Sequence, residues 1–114
     1  RNLVAKEYSN KLSDYVRVPK ISSGYVSSWA QYSILLNSED ERNDIIDLLS
    51  NQNIPTAIFY KVPFHKNKVY NLDVSNSFPI SEKVSKCILS LPMHPYLNND
   101  EIDKISNLIC NYFK

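Results

Sequence analysis

Apolar residues recur along this chain at two different periods, and the alternation between them sets out the elements. Val4, Tyr8, Leu12 and Tyr15 fall on one face of a helix over residues 1–15. No capping side chain precedes Arg1, as expected if the chain starts inside a longer helix. Val16-Arg17-Val18 is a short extended piece that Pro19 ends, and residues 22–28 form a polar loop. Trp29 to Leu36, rich in aromatic, aliphatic and β-branched side chains, predicts a strand. Ser38 with Glu41 three positions on is a capping box. It opens a helix to about Asn51 that turns Ile45, Ile46, Leu48 and Leu49 inward. Asn53-Ile54-Pro55 stops that helix, and Thr56 to Tyr60 predicts a second strand.

Residues 61–78 hold no sustained period and predict a long loop, a kind of segment that is usually functional or mobile. Residues 80–89 predict a helix with Ile80, Val84, Cys87 and Ile88 on one face, followed by a short strand at Leu89-Ser90-Leu91. Asn98 and Glu101 cap a closing helix with Ile102, Ile105, Leu108, Ile109, Tyr112 and Phe113 as its apolar stripe. The fold class this order implies is α+β: a small, mainly antiparallel sheet with helices packed on one face.

Composition narrows the picture. A chain of 114 residues, 43% hydrophobic and 22% charged, makes one domain with a real core. A net charge of +1 gives no field to recruit nucleic acid or anionic lipid. No apolar run reaches membrane-spanning length, and the first residues carry no secretory h-region, so the expected location is cytoplasmic. The single glycine, Gly24, excludes a glycine-rich phosphate loop. Cys87 and Cys110 fall on apolar helix faces and read as buried, reduced thiols.

Candidate chemistry is sparse. His65 and His94 with the two cysteines do not have zinc-ligand spacing, so no metal is expected. A cysteine nucleophile needs an exposed thiol beside a base, which the helix positions disfavour. The 60–70 segment mixes aromatics with Lys61, Lys66 and Lys68, a pattern also found on single-strand nucleic-acid surfaces. Three lysines in a neutral domain are too few for that, which leaves small-molecule recognition or a solvated loop with anchoring rings. The acidic run Glu39-Asp40-Glu41 complements a helix N-terminus. His94, between Pro92 and Pro95, reads as part of a rigid connector.

Four segments together resemble one family. Residues 1–15 are similar to a long helix that enters a small domain. Ser28-Trp29-Ala30-Gln31-Tyr32-Ser33-Ile34-Leu35 is similar to a strand of enzymes that aminate UDP-linked 3-keto sugars. Gln52 to Ala57, followed by Tyr60, Pro63, Phe64 and His65, is similar to a "GIPTA…YPVPLH" run, and Leu89 to Leu97 to an "LSLPMHPYL" run. In this order they resemble the C-terminal small domain of the DegT/DnrJ/StrS-type sugar aminotransferases over essentially the whole chain.

The resemblance implies the small domain of an aspartate-aminotransferase-like enzyme. It further implies pyridoxal 5'-phosphate as cofactor, glutamate as amino donor, a nucleotide-linked keto sugar as acceptor, and a homodimer. It carries no catalytic residue onto residues 1–114: the family's Schiff-base lysine lies in a large domain that nothing here matches, so this chain by itself is expected to hold no cofactor and to turn nothing over. The alternative is a stand-alone nucleotide-sugar binding module. The resemblance assigns substrate contact to Phe59, Tyr60 and His65, the last either touching substrate or ordering its loop. Phe59 stands where many relatives have His or Tyr, and Lys61 where Pro is common. Asn53 replaces a usual Gly, and tolerates the same left-handed turn.

Overall fold

Val4, Ala5, Tyr8 and Leu12 are buried along one side of α1 (Asn2–Leu12) in a computed structural model that describes residues 1–70 and 77–114. The helix ends three residues earlier than the apolar spacing predicts, because Ser13 caps it and a tight turn brings the Tyr15 and Val16 amides back to the Leu12 carbonyl. Tyr15 still packs against the core from that turn.

Strand β1 (Tyr32–Leu35) pairs antiparallel with β2 (Ile88–Leu91), Tyr32 opposite Leu91 and Leu35 opposite Ile88. Single bridges extend the ladder on both sides, Arg17 to Leu35 and Ala57 to Ser90. The side chains alternate as a half-buried sheet requires. Tyr32, Ile34, Leu89 and Leu91 enter the core, whereas Ser33, Leu35 and Ile88 are only partly buried. Ser33 and Ser90 face each other through their hydroxyls at 2.7 Å.

Two predicted strands are shorter than their composition suggests. Trp29 has φ of 49°, a left-handed conformation that a strand cannot contain, so β1 starts only at Tyr32. The segment 56–60 pairs at Ala57 alone and then turns at Phe59 and Tyr60. Its neighbour β2 ends at Leu91, and Pro92 has no N–H with which to continue the ladder. The 16–18 piece likewise contributes one bridge rather than a strand.

Three helices cover the buried face. Ile45 and Leu49 of α2 (Glu39–Ser50) and Ile102, Ile105 and Ile109 of α4 (Asn99–Tyr112) join the α1 residues in one cluster with both strands. Tyr8 Oη donates to the Pro92 carbonyl at 3.1 Å and Tyr32 shares a hydrogen bond with Ser9 at 2.8 Å, so the aromatic pair also ties α1 to the strands. α1 and α4 are joined further by the Lys11–Asp103 ion pair and by Cys110 Sγ donating to the Lys11 carbonyl. Both cysteines are buried free thiols.

The caps follow the sequence. Asn98 accepts from the Glu101 amide while Glu101 takes the Asn98 N–H, a complete capping box. Ser38 accepts from the Glu41 amide, but Glu41 reaches past it to the Asn37 amide and side chain, so that box is half formed. At the end of α2, Asn53 has φ of 57°; its N–H reaches the Ser50 carbonyl and the Ile54 N–H the Leu49 carbonyl. That is a Schellman turn with Asn in the place of Gly.

Two side chains depart from their predicted faces. Ile80 is 80% exposed in the first turn of α3 (Pro79–Cys87). Tyr112 is half exposed, its hydroxyl donating to Asp44 across from α4 to α2 at 2.7 Å. Arg42, in the polar stretch of α2, is 2% exposed. It pairs with Glu39 at 3.0 Å and donates to Asn43 and to the Ser85 carbonyl, which holds α3 against α2. The predicted 61–78 loop contains two short 3₁₀ turns, Phe64–Lys66 and Lys68–Tyr70, while 71–76 lie outside the described residues.

The left-handed turn gives a stability test. Asn53→Ala should lower the urea midpoint, costing about 1 kcal/mol for a Cβ without a compensating polar side chain at positive φ. Asn53→Gly should leave the midpoint unchanged or raise it.

Candidate functional site

The sheet face turned away from the core is the one that leads to a site. Ile88 of β2 and Val84 of α3 stand on it, and a cavity of about 420 Å³ opens above them. That volume lies within the roughly 300–1,000 Å³ of small-molecule sites. Phe59, Tyr60 and Phe64 form one wall; Ser81, Val84 and Ser85 of α3 form the other. The Phe59 ring is 39% exposed and the Tyr60 ring 75%. They meet edge to face with centroids 5.8 Å apart, across a cis Phe59–Tyr60 peptide bond. A second cavity of about 570 Å³ lies beyond the same two apolar residues, with Arg17, Trp29, Gln31 and Ser33 in its lining.

His65 is placed differently from the two aromatics. It does not line the cavity with them; its side chain is 13% exposed and turned towards α3. Its Nε2 lies 3.1 Å from Glu82 Oε1, and its ring meets Phe78 at 4.8 Å. Lys66 donates to the other carboxylate oxygen of Glu82 at 2.6 Å, and the Phe78 N–H adds a weaker contact at 3.4 Å. The hydrogen bond from Lys66, followed by that from His65, holds the Glu82 carboxyl at about 2, below its ordinary 4.5. Glu82 is 16 and 17 residues from these partners, so no local spacing in the sequence points to it. His94 stands exposed in a separate hollow beside Gln52, Leu97 and Lys104, and its carbonyl accepts from the Leu97 N–H at 3.4 Å.

The cavity suits binding. Tyr60 offers an aromatic face and a hydroxyl that both donates and accepts, whereas Phe59 offers a face alone. The Ser85 hydroxyl is already committed to the Glu82 carbonyl at 2.9 Å, and Asn67 supplies an amide at the rim.

With this geometry in place, comparison with known proteins decides the family. The sequence pattern of the DegT/DnrJ/EryC1/StrS aminotransferase family matches residues 1–110. The chain belongs to that family. Among its relatives, the dTDP-3-amino-3,6-dideoxy-alpha-D-galactopyranose transaminase of Aneurinibacillus thermoaerophilus is 27% identical over 98% of this chain and 30% of its own length. The UDP-2-acetamido-2-deoxy-3-oxo-D-glucuronate aminotransferase of Pseudomonas aeruginosa is 31% identical over 97% of the chain and 30% of its own length. A solved DegT/DnrJ/EryC1/StrS aminotransferase from Brucella abortus superimposes with a TM-score of 0.86 at 36% identity, covering 97% of this chain and 30% of that one. The chain thus spans about 30% of the length of the DegT-family proteins it matches.

A DegT-family aminotransferase implies pyridoxal phosphate, which needs a lysine amine and a cradle for its phosphate. The cavity beside Phe59 and Tyr60 is lined by no lysine or arginine, and its polar side chains are a tyrosine, two serines and one amide. The described lining of this cavity therefore does not fit the cofactor by itself; it fits a wall for a sugar or base ring.

The Glu82 cluster carries a definite pH dependence. Its folded carboxyl is depressed, so whatever it contributes to stability is complete above about 4.5 and is lost as the pH falls towards about 2. The Glu82 side-chain carbon resonance should stay flat from neutral pH down to about 3 in an NMR titration. A midpoint at the ordinary value of 4.5 would contradict the bonding described here.

Proposed function

We propose that residues 1–114 are the C-terminal small domain of a pyridoxal-phosphate-dependent sugar aminotransferase. The whole enzyme passes an amino group from glutamate to a nucleotide-linked keto sugar, in the biosynthesis of amino sugars or cell-surface polysaccharide. It works in the cytoplasm as a homodimer. The observation that carries the reading is the family match over residues 1–110, shared with relatives whose names specify nucleotide-linked sugars amino-substituted or oxidised at carbon 3.

In this reading the lysine that holds the cofactor, and the electron sink it provides, belong to the part of the relatives' length that the chain does not span. Residues 1–114 supply the substrate wall. Tyr60 packs its ring on the sugar and offers its hydroxyl to a sugar oxygen. Phe59 shields the opposite edge and, with no polar atom, excludes water rather than binding a hydroxyl. His65 acts one step back, through the shape of the 59–67 segment, since its ring is turned to Glu82 and Phe78.

The test is amination by the full-length protein. Incubation with glutamate and a nucleotide-linked 3-keto sugar should yield 2-oxoglutarate and the amino sugar by mass spectrometry. Failure with every nucleotide-linked keto sugar would refute the reading. Tyr60→Ala should raise KM for the sugar about tenfold and leave the glutamate half-reaction unchanged, as expected of a group that binds only the acceptor. Borohydride should trap no pyridoxal phosphate on the 114-residue chain alone.

A further inference from the structure

The cavity has two walls that come from separate parts of the chain. One is the 59–67 segment; the other is α3, which delivers Ser81, Val84 and Ser85. After the Ala57 bridge to β2, the backbone hydrogen bonds described for the segment are local, Lys66 N–H to Pro63 and Asn67 N–H to Phe64. Local turns of this kind fix the curl of a segment and leave its distance from a neighbour unset. Two side-chain hydrogen bonds join the segment to α3, and both end on one carboxylate, Glu82, which takes His65 on one oxygen and Lys66 on the other. Such bonds to an ionised acceptor are short and directional. α3 is itself anchored, because Arg42 donates to the Ser85 carbonyl from the buried side. Glu82 is thus fixed to a held helix, and what it grips becomes fixed as well.

We propose that Glu82 is the positioning residue of the substrate wall: by gripping His65 and Lys66 it fastens the 59–67 segment to α3 and sets the width of the cavity that Phe59 and Tyr60 line. This inference rests on the function proposed above for its kinetic consequence, though not for its structural one. Glu82 touches neither substrate nor cofactor. It acts by keeping the two aromatic rings at a constant distance from Ser81 and Val84, so that an acceptor sugar meets a preformed wall. Without it the wall must be ordered at the cost of binding free energy, which appears in KM rather than kcat.

Two measurements on Glu82→Ala test this. In the full-length enzyme, KM for the nucleotide sugar should rise about tenfold while kcat changes less than about twofold. Glu82→Gln, which keeps an acceptor for His65 and loses the charge facing Lys66, should fall between. In the 114-residue chain, amide hydrogen exchange at Lys66 and Asn67 should accelerate at least about tenfold, with Ile105 and Ile109 of α4 unchanged. A sugar KM equal to that of the unaltered enzyme, or unaltered exchange at Lys66 and Asn67, would overturn the proposal. If the unaltered enzyme accepts no nucleotide sugar, it is the proposed function that fails, and the exchange result alone then decides for or against the clasp. Should Glu82→Ala not fold, the His65→Ala/Lys66→Ala double variant removes the same grip from the exposed side and is read by the same criteria.

Discussion

The four paired residues of β1 and β2 are the constraint on which the rest of this domain depends. Their alternation sends Tyr32, Ile34, Leu89 and Leu91 to one side, where three helices close over them. Burying a side chain of that size contributes roughly 1.5–3 kcal/mol, so this short ladder organises much of the core. A slip of one residue by either strand would turn its two core side chains to the wrong face. The Tyr8–Pro92 and Tyr32–Ser9 hydrogen bonds add a polar check on the same register. Because α1, α2 and α4 occupy one face, the other is left for Ile88 and α3, and the cavity beside Phe59 and Tyr60 opens there. The division between a packed face and the face that bears the cavity is therefore a consequence of strand alternation.

Ends of elements were more legible than their lengths. Asn98 and Glu101 make the capping box their spacing promises, and Asn53 adopts the left-handed turn expected where a glycine is common. These are local devices, decided by residues three or four apart. Strand extent is decided by a partner elsewhere in the chain. Thr56 to Tyr60 has the composition of a strand but finds only one bridge, because β2 stops at Pro92. Ile80 has the spacing of a core residue, yet the first turn of α3 leaves it exposed. Arg42 was hidden for the opposite reason: a charged residue in a polar stretch gives no sign that its guanidinium will be buried under α3.

The site shows the same split. Phe59, Tyr60 and His65 could be named from a family resemblance, since they follow a recognisable run. Residue patterning alone leaves Phe59 and Tyr60 at the end of a predicted strand and His65 in a loop. The structure then separates them, two at the cavity and one turned to Glu82. The partner that accounts for His65 lies in another element, on a helix whose composition says nothing of a binding site. The carboxylate grips the loop, the loop presents the rings, and Arg42 holds the helix that carries the carboxylate. A cavity wall built this way owes its shape to contacts outside its own lining.

The central claim is that residues 1–114 supply the acceptor-sugar wall and that another part of the protein supplies the cofactor's lysine. A crystal structure of the full-length protein with its aminated nucleotide-sugar product tests this most directly. The account predicts the sugar ring packed against Tyr60 and Phe59, within hydrogen-bond reach of the Tyr60 hydroxyl, with pyridoxal phosphate held from outside these residues. A sugar bound away from the 59–67 segment, or a cofactor joined to any lysine among residues 1–114, would contradict it.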